Sequence, residues 1–192
     1  MMLQRVLLVQ GGSKGAYVSD MALADSLRRN LGPGYDVRYP AMPDEGEPNY
    51  DAWKAVILEE VRGTAPAALA VGHSIGGSVL ARLMTETDIS GPDLIAGVFL
   101  VAAPFWHDHH FWRWDDVALP ADAAGRFPAG APLFLYHGEA DASVPVSHLR
   151  MYARALPQGV VRALPGRDHQ LNGDMSEVAR DICGLRAAHA SP

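Results

Sequence analysis

Apolar and polar positions divide the chain into short apolar runs separated by longer stretches with helical spacing. Six runs read as strands: Val6–Val9, Tyr35–Tyr39, Ala67–Val71, Ile95–Val101, Leu133–Tyr136 and Val160–Leu164. They are short, the Ala67–Val71 run reads as buried, and their alternation with helices implies a parallel sheet covered on both faces. Between them, Val18, Met21, Ala22 and Leu27 are spaced to share one face of a helix, as are Trp53, Val56, Ile57 and Val61. A last helix is expected from Met175 to Leu185, with Val178, Ile182 and Leu185 turned inward. Strands alternating with helices imply an α/β protein: a three-layer α/β/α sandwich around a mostly parallel sheet of about six strands. In such sheets, ligands meet the loops at the carboxyl ends of the strands.

Two connections break the rhythm. Residues Pro40 to Asn49 form a Pro-rich acidic loop, and Pro104 to Pro128 form a longer one holding Phe105, Trp106, Phe111, Trp112 and Trp114. A long aromatic loop at the ligand-binding edge is expected to wall a site, with Phe105, Trp106, Trp112 and Trp114 facing an apolar or aromatic group.

Composition narrows the field. The 192 residues are expected to form one domain, 1–192, and the 48% apolar and 20% charged content is ordinary for a soluble globule. A net charge of −6 without any basic run argues against a nucleic-acid partner. Cys183 is the sole cysteine, so an internal disulfide is impossible and a reducing cytoplasm fits. The first apolar run is too short for a signal peptide, and no stretch has the length of a membrane span. A cytoplasmic protein is expected.

The chemistry concentrates at Val71-Gly72-His73-Ser74-Ile75-Gly76, a G-x-S-x-G sequence between an expected strand and a helix. This is the context of a nucleophile elbow: a sharp turn lifts the serine hydroxyl into the open, and flanking glycines remove the Cβ atoms that would collide there. A serine hydroxyl needs a base to take its proton, and the base needs a carboxylate to hold its tautomer. In proteins with this elbow the order is Ser, then Asp or Glu, then His, on loops after later strands. Downstream, Asp141 follows the Leu133–Tyr136 run and His169 follows the Val160–Leu164 run. Ser74, Asp141 and His169 are therefore the expected triad. Glu139 is a rival acid, and Asp168, adjacent to His169, reads as a turn former. His137 is expected to hydrogen-bond the loop carrying Asp141, His73 to be a structural neighbour of the nucleophile, and His148 to be solvated. The oxyanion hole should comprise the backbone N–H of Ile75 and one from the loop after the first strand. Gly12 is the first choice there, with Gly11 or Ser13 if the register differs by one.

Two other motifs point elsewhere and are rejected. Gly11-Gly12-Ser13-Lys14-Gly15-Ala16 with Tyr50 and Lys54 resembles a dehydrogenase pattern. However, Tyr17 stands where a pyrophosphate loop needs glycine, and the Tyr/Lys pair falls too early in the chain. His107-Asp108-His109-His110 has metal-ligand residue types, but adjacent histidines rarely converge on one ion unaided. No cofactor and no metal are expected.

The triad residues, taken together, resemble the α/β-hydrolase superfamily. More narrowly, Met42-Pro43-Asp44, Pro48, Trp53, the run Val71 to Gly77 and Ala103-Pro104-Phe105 are similar to the small serine hydrolases related to retinoblastoma-binding protein nine. The resemblance implies strand order 2-1-3-4-5-6, no separate cap domain, and Ser74, Asp141 and His169 as the triad. The sequence departs from that pattern in its Gly-Gly-Ser-Lys-Gly loop and in Asp168 before the histidine, where glycine is common. The expectation is an esterase-like hydrolase of a small ester or thioester; the alternative is a hydrolase-fold binding protein with little or no turnover.

Overall fold

The apolar runs become six strands: Gln4–Val9 (β1), Tyr35–Arg38 (β2), Ala68–His73 (β3), Ile95–Val101 (β4), Leu133–Gly138 (β5) and Val160–Leu164 (β6). The structure is a computed structural model and describes residues 3–86, 94–106 and 114–189, with side chains described as far as residue 185. The strands form one sheet in the order β2-β1-β3-β4-β5-β6, and every neighbouring pair is parallel. Six α-helices accompany them among the described residues: Ala16–Leu31 (α1), Tyr50–Val61 (α2), Ile75–Leu83 (α3), Ala123–Arg126 (α4), Ser147–Ala155 (α5) and Ser176–His189 (α6).

Strand periodicity divides the core in two. Along β1, Val6 and Leu8 face one layer while Leu7 and Val9 face the other. The first layer receives Leu23 and Leu27 of α1 and Val178 and Ile182 of α6. The second receives Trp53 and Ile57 of α2, Val79 and Leu80 of α3, and Tyr152 of α5. This is the three-layer sandwich expected, and the α2 and α6 faces are those the spacing predicted. None of the described helices is long and apolar enough to cross a membrane.

Two expectations need correction. Val18, Met21 and Ala22 of α1 point outward, Val18 being 69% exposed; the inward stripe is Ala16, Asp20, Leu23, Ala24, Leu27 and Leu31. A carboxylate sits in that buried stripe and hides it from a hydropathy reading. Secondly, β6 is an edge strand, so Val160 and Val161 lie at the surface. Its apolar run reflects strand propensity more than burial.

Candidate active site

Because all six strands run the same way, the loops after β1, β3, β4, β5 and β6 gather at one end of the sheet. Ser74 lies there, between β3 and α3, at φ 51°, ψ −123°. Such an angle pair is sterically costly for a residue with a Cβ, by about 1–3 kcal/mol, and persists only where the surroundings enforce it. Its N–H donates to Val101 O at 2.8 Å, and its carbonyl accepts from Gly77 N at 2.9 Å. The turn closes only around glycines. A Cβ on Gly72 would sit 2.6 Å from Gly77 Cα, one on Gly76 2.6 Å from Val9 O, and one on Gly77 2.8 Å from Ala103 Cβ. The Ser74 hydroxyl forms no hydrogen bond among the described residues. Ser78, one turn on, is spent on Pro104 O at 2.7 Å.

The structure brings together the two residues expected to be base and acid. His169 Nδ1 lies 2.7 Å from Asp141 Oδ2. The Asp141 side chain is fully buried, and its other oxygen accepts the N–H groups of Ser143 and Val144 at 2.8 Å each. His137 Nε2 lies 2.9 Å from Val144 O and 3.2 Å from Asp141 Oδ2, so it braces that loop as expected. Burial alone would raise the Asp141 pKa. The contacts from His137 and His169, then the Val144 N–H and the neighbouring charge of His169, outweigh it and hold the carboxyl well below the usual carboxylate range. Glu139, the rival acid, is exposed. Asp168 makes a turn instead of pairing with His169: its N–H and carboxylate engage Asn172 at 3.0 and 2.7 Å.

Two backbone donors at the site are unspent. As the first residue of α3, Ile75 has no intrahelical acceptor for its N–H, and no other described residue accepts it. On the loop after β1, Gly11 N–H donates to Asp20 Oδ2 at 2.7 Å and Ser13 N–H to Glu45 O at 2.7 Å. Gly12, between them, keeps a free N–H among the described residues, which separates it from its two neighbours in register. A Cβ at Gly12 would meet Ile75 Cδ1 at 2.6 Å, so glycine is what lets the loop approach α3.

The chain order did not reveal what clamps this loop. The Glu45 carboxylate accepts N–H groups from Gly15 at 2.5 Å and Tyr17 at 2.7 Å and the Gln10 side-chain amide at 2.8 Å. Those backbone donors hold its carboxyl below the ordinary range. Gln10 is itself fully buried and accepts Met42 N–H at 3.0 Å. Asp20 and His73 are a second buried pair at 2.7 Å, with His73 Nε2 reaching His169 O at 2.9 Å. His148 is buried, not solvated, and its Nδ1 accepts Phe105 N–H at 2.8 Å, fixing the chain as it leaves β4.

Ser74, His169, His73, Gly11, Gly12 and Gln170 line one small cavity of about 110 Å³. A larger hollow of about 870 Å³ lies at the opposite end, around the start of β5, and is lined without any titratable side chain. The expected aromatic wall is only partly visible. Phe105 stands edge-on to Tyr152 at 5.0 Å, and Trp106 edge-on to Trp114 at 5.7 Å. All three pack, with Ile75, against the α2/α3 layer and do not line the cavity at Ser74. Trp112 lies outside the described residues, as do His107, Asp108, His109 and His110. The rejected Tyr/Lys motif is accounted for locally: Tyr50 O–H donates to Glu86 at 2.7 Å, and Lys54 pairs with the same carboxylate.

No family model matches the chain, and no curated protein matches it significantly. Solved structures do. The esterase domain of a Rhodothermus marinus protein superposes with TM-score 0.70 at 18% identity, covering 95% of this chain and 85% of that one. The meta-cleavage product hydrolase CumD of Pseudomonas fluorescens IP01 gives 0.73 at 14% identity, covering 97% and 91%. A CIB-like hydrolase from Thermoplasma acidophilum gives 0.66 at 18% identity, covering 95% and 85%. At these identities the likeness establishes the architecture: the chain has the α/β-hydrolase fold.

Proposed function

We propose that this chain is a serine hydrolase of esterase type, cleaving a small ester or thioester through an acyl-enzyme on Ser74. The observation that carries the reading is one constellation. A buried Asp141 holds His169 by its Nδ1, His169 shares a cavity with Ser74, and Gly12 and Ile75, whose N–H groups are unspent among the described residues, approach each other beside Ser74. In the proposed reaction the Ser74 hydroxyl attacks the carbonyl carbon as His169 Nε2 accepts its proton. Asp141 stabilises the imidazolium through Nδ1–H. The N–H groups of Gly12 and Ile75 receive the oxyanion, each such donor contributing about 3–4 kcal/mol in the transition state. His169 returns the proton to the leaving alcohol or thiol. A water, deprotonated by the same ring, then attacks the acyl-enzyme and releases the acid. A nucleophile–base hydrogen bond absent from a ligand-free site commonly forms when substrate closes it.

The aromatic segment after β4 is proposed as the wall for the acyl or alcohol group. Phe105, Trp106 and Trp114 support this by packing on the same layer as Ile75, beside one oxyanion donor, with Trp112 on the same segment. The test is turnover of a panel of short esters and thioesters. Ser74→Ala and His169→Ala should each lower kcat by about 10⁶-fold, since members of such a unit fail together. Turnover that survives Ser74→Ala would refute the reading, and an inactive wild type would favour a binding role.

A further inference from the structure

The proposed machinery leaves one buried pair without a role. Asp20 and His73 side chains are each 1% exposed, in a position where burying two ionisable groups is costly unless both are fully hydrogen-bonded. The two ring nitrogens of His73 face acceptors only: Asp20 Oδ2 at 2.7 Å from Nδ1, and the His169 carbonyl at 2.9 Å from Nε2. A neutral imidazole has one N–H and would leave one acceptor unserved; the imidazolium serves both. Asp20 in turn accepts Gly11 N–H at 2.7 Å and the Gln170 amide at 2.9 Å. Burial opposes charge on both groups, yet their mutual contact raises the His73 pKa and lowers that of Asp20.

These bonds join three loops that sequence separates widely. Gly11 precedes Gly12, His73 precedes Ser74, and His169 is the base itself. The His73 and His169 rings also lie 4.9 Å apart, tilted by 53°. We propose that the Asp20–His73 ion pair is a positioning device for acyl transfer, holding oxyanion donor, nucleophile and base in register by gripping the backbone beside each. Among the described residues neither side chain hydrogen-bonds the Ser74 hydroxyl or the His169 ring. This rests on the serine-hydrolase reading.

The test compares fluorophosphonate labelling of Ser74 in the wild type and in Asp20→Asn, resolved into KI and kinact, with Tm measured alongside. The amide keeps the shape and an acceptor for Gly11 but removes the charge that keeps His73 protonated. Small misplacement of reacting groups costs rate, so kinact should fall by about 10²-fold while KI holds. A folded Asp20→Asn that labels as fast as the wild type overturns the inference and leaves the hydrolase reading standing. A wild type that takes no label overturns both. His73→Gln is the second variant, with the same expected kinact loss, should Asp20→Asn not fold. On the wild type alone, ¹⁵N NMR should find both His73 ring nitrogens protonated at neutral pH; a neutral ring overturns the inference.

Discussion

Gly138 ends β5 where the loops carrying Asp141 and His169 cross, with Ala140 N–H donating to Arg167 O at 2.9 Å and Glu139 N–H to Leu164 O at 3.0 Å. A Cβ at this position would meet Arg167 O most closely, and would lie 2.5 Å from Asp168 O and 2.7 Å from Arg167 C. Ordinary contact begins at 3.4 Å, so in Gly138→Ala the Asp168 carbonyl must retreat by roughly 0.9 Å. All three obstructing atoms are backbone, so no rotamer change relieves the clash, and the residues displaced, Arg167 and Asp168, lead directly into His169. Overpacking of this kind costs about 1–3 kcal/mol, which in a chain of this size lowers Tm by about 2–12 °C. A shift near 1 Å in a reacting group costs about 10²-fold in rate, or about 2.7 kcal/mol of barrier. The assay is kcat/KM on the best short ester, with Tm measured on the same preparation. A variant whose kcat/KM stays within about threefold of wild type, whatever its Tm, would refute the argument that this crossing sets the His169 position.

Two further predictions follow from the same geometry. The Asp141 carboxyl has a folded pKa below its unfolded value, so its contribution to stability is fully present above the unfolded value and is lost as pH falls through the depressed one. The wild type should therefore lose more stability in urea between about pH 7 and pH 3 than Asp141→Asn does, whose side chain does not titrate; equal acid slopes would contradict the assignment. For the aromatic wall, Trp114→Ala removes the edge contact with Trp106 and should change relative rates across ester chain lengths, as should Trp112→Ala. An unchanged chain-length profile in both would remove the wall.

What sequence made legible divides along a physical line. Features set by neighbours in the chain were readable: apolar runs as strands, the faces of α2 and α6, and the glycines that permit the turn at Ser74. That Asp141 and His169 come to one edge of the sheet was readable because each follows a strand closely in a parallel topology. Features set by partners distant in sequence were not. Asp20 sits 53 residues from His73, and its burial inside the α1 stripe is intelligible only once that partner is seen. The same carboxylate misdirected the α1 face toward Val18 and Met21, which are exposed. Choosing among Gly11, Gly12 and Ser13 needed knowledge of where Asp20 and Glu45 spend their acceptors. His148 looked like a surface residue because helical spacing does not reveal that Phe105 N–H lies opposite. A carboxylate at a buried helical position, three residues before Leu23 and four before Ala24, was the one available signal that a charged partner waited in the core.

The central claim is that Ser74 is an activated nucleophile, and intact-protein mass after exposure to a fluorophosphonate tests it most directly, on the wild type and on Ser74→Ala. One adduct on the wild type and none on the variant is the predicted result. An adduct on both would place the reactive group elsewhere, and none on either would mean the elbow holds an inert serine; each contradicts the account.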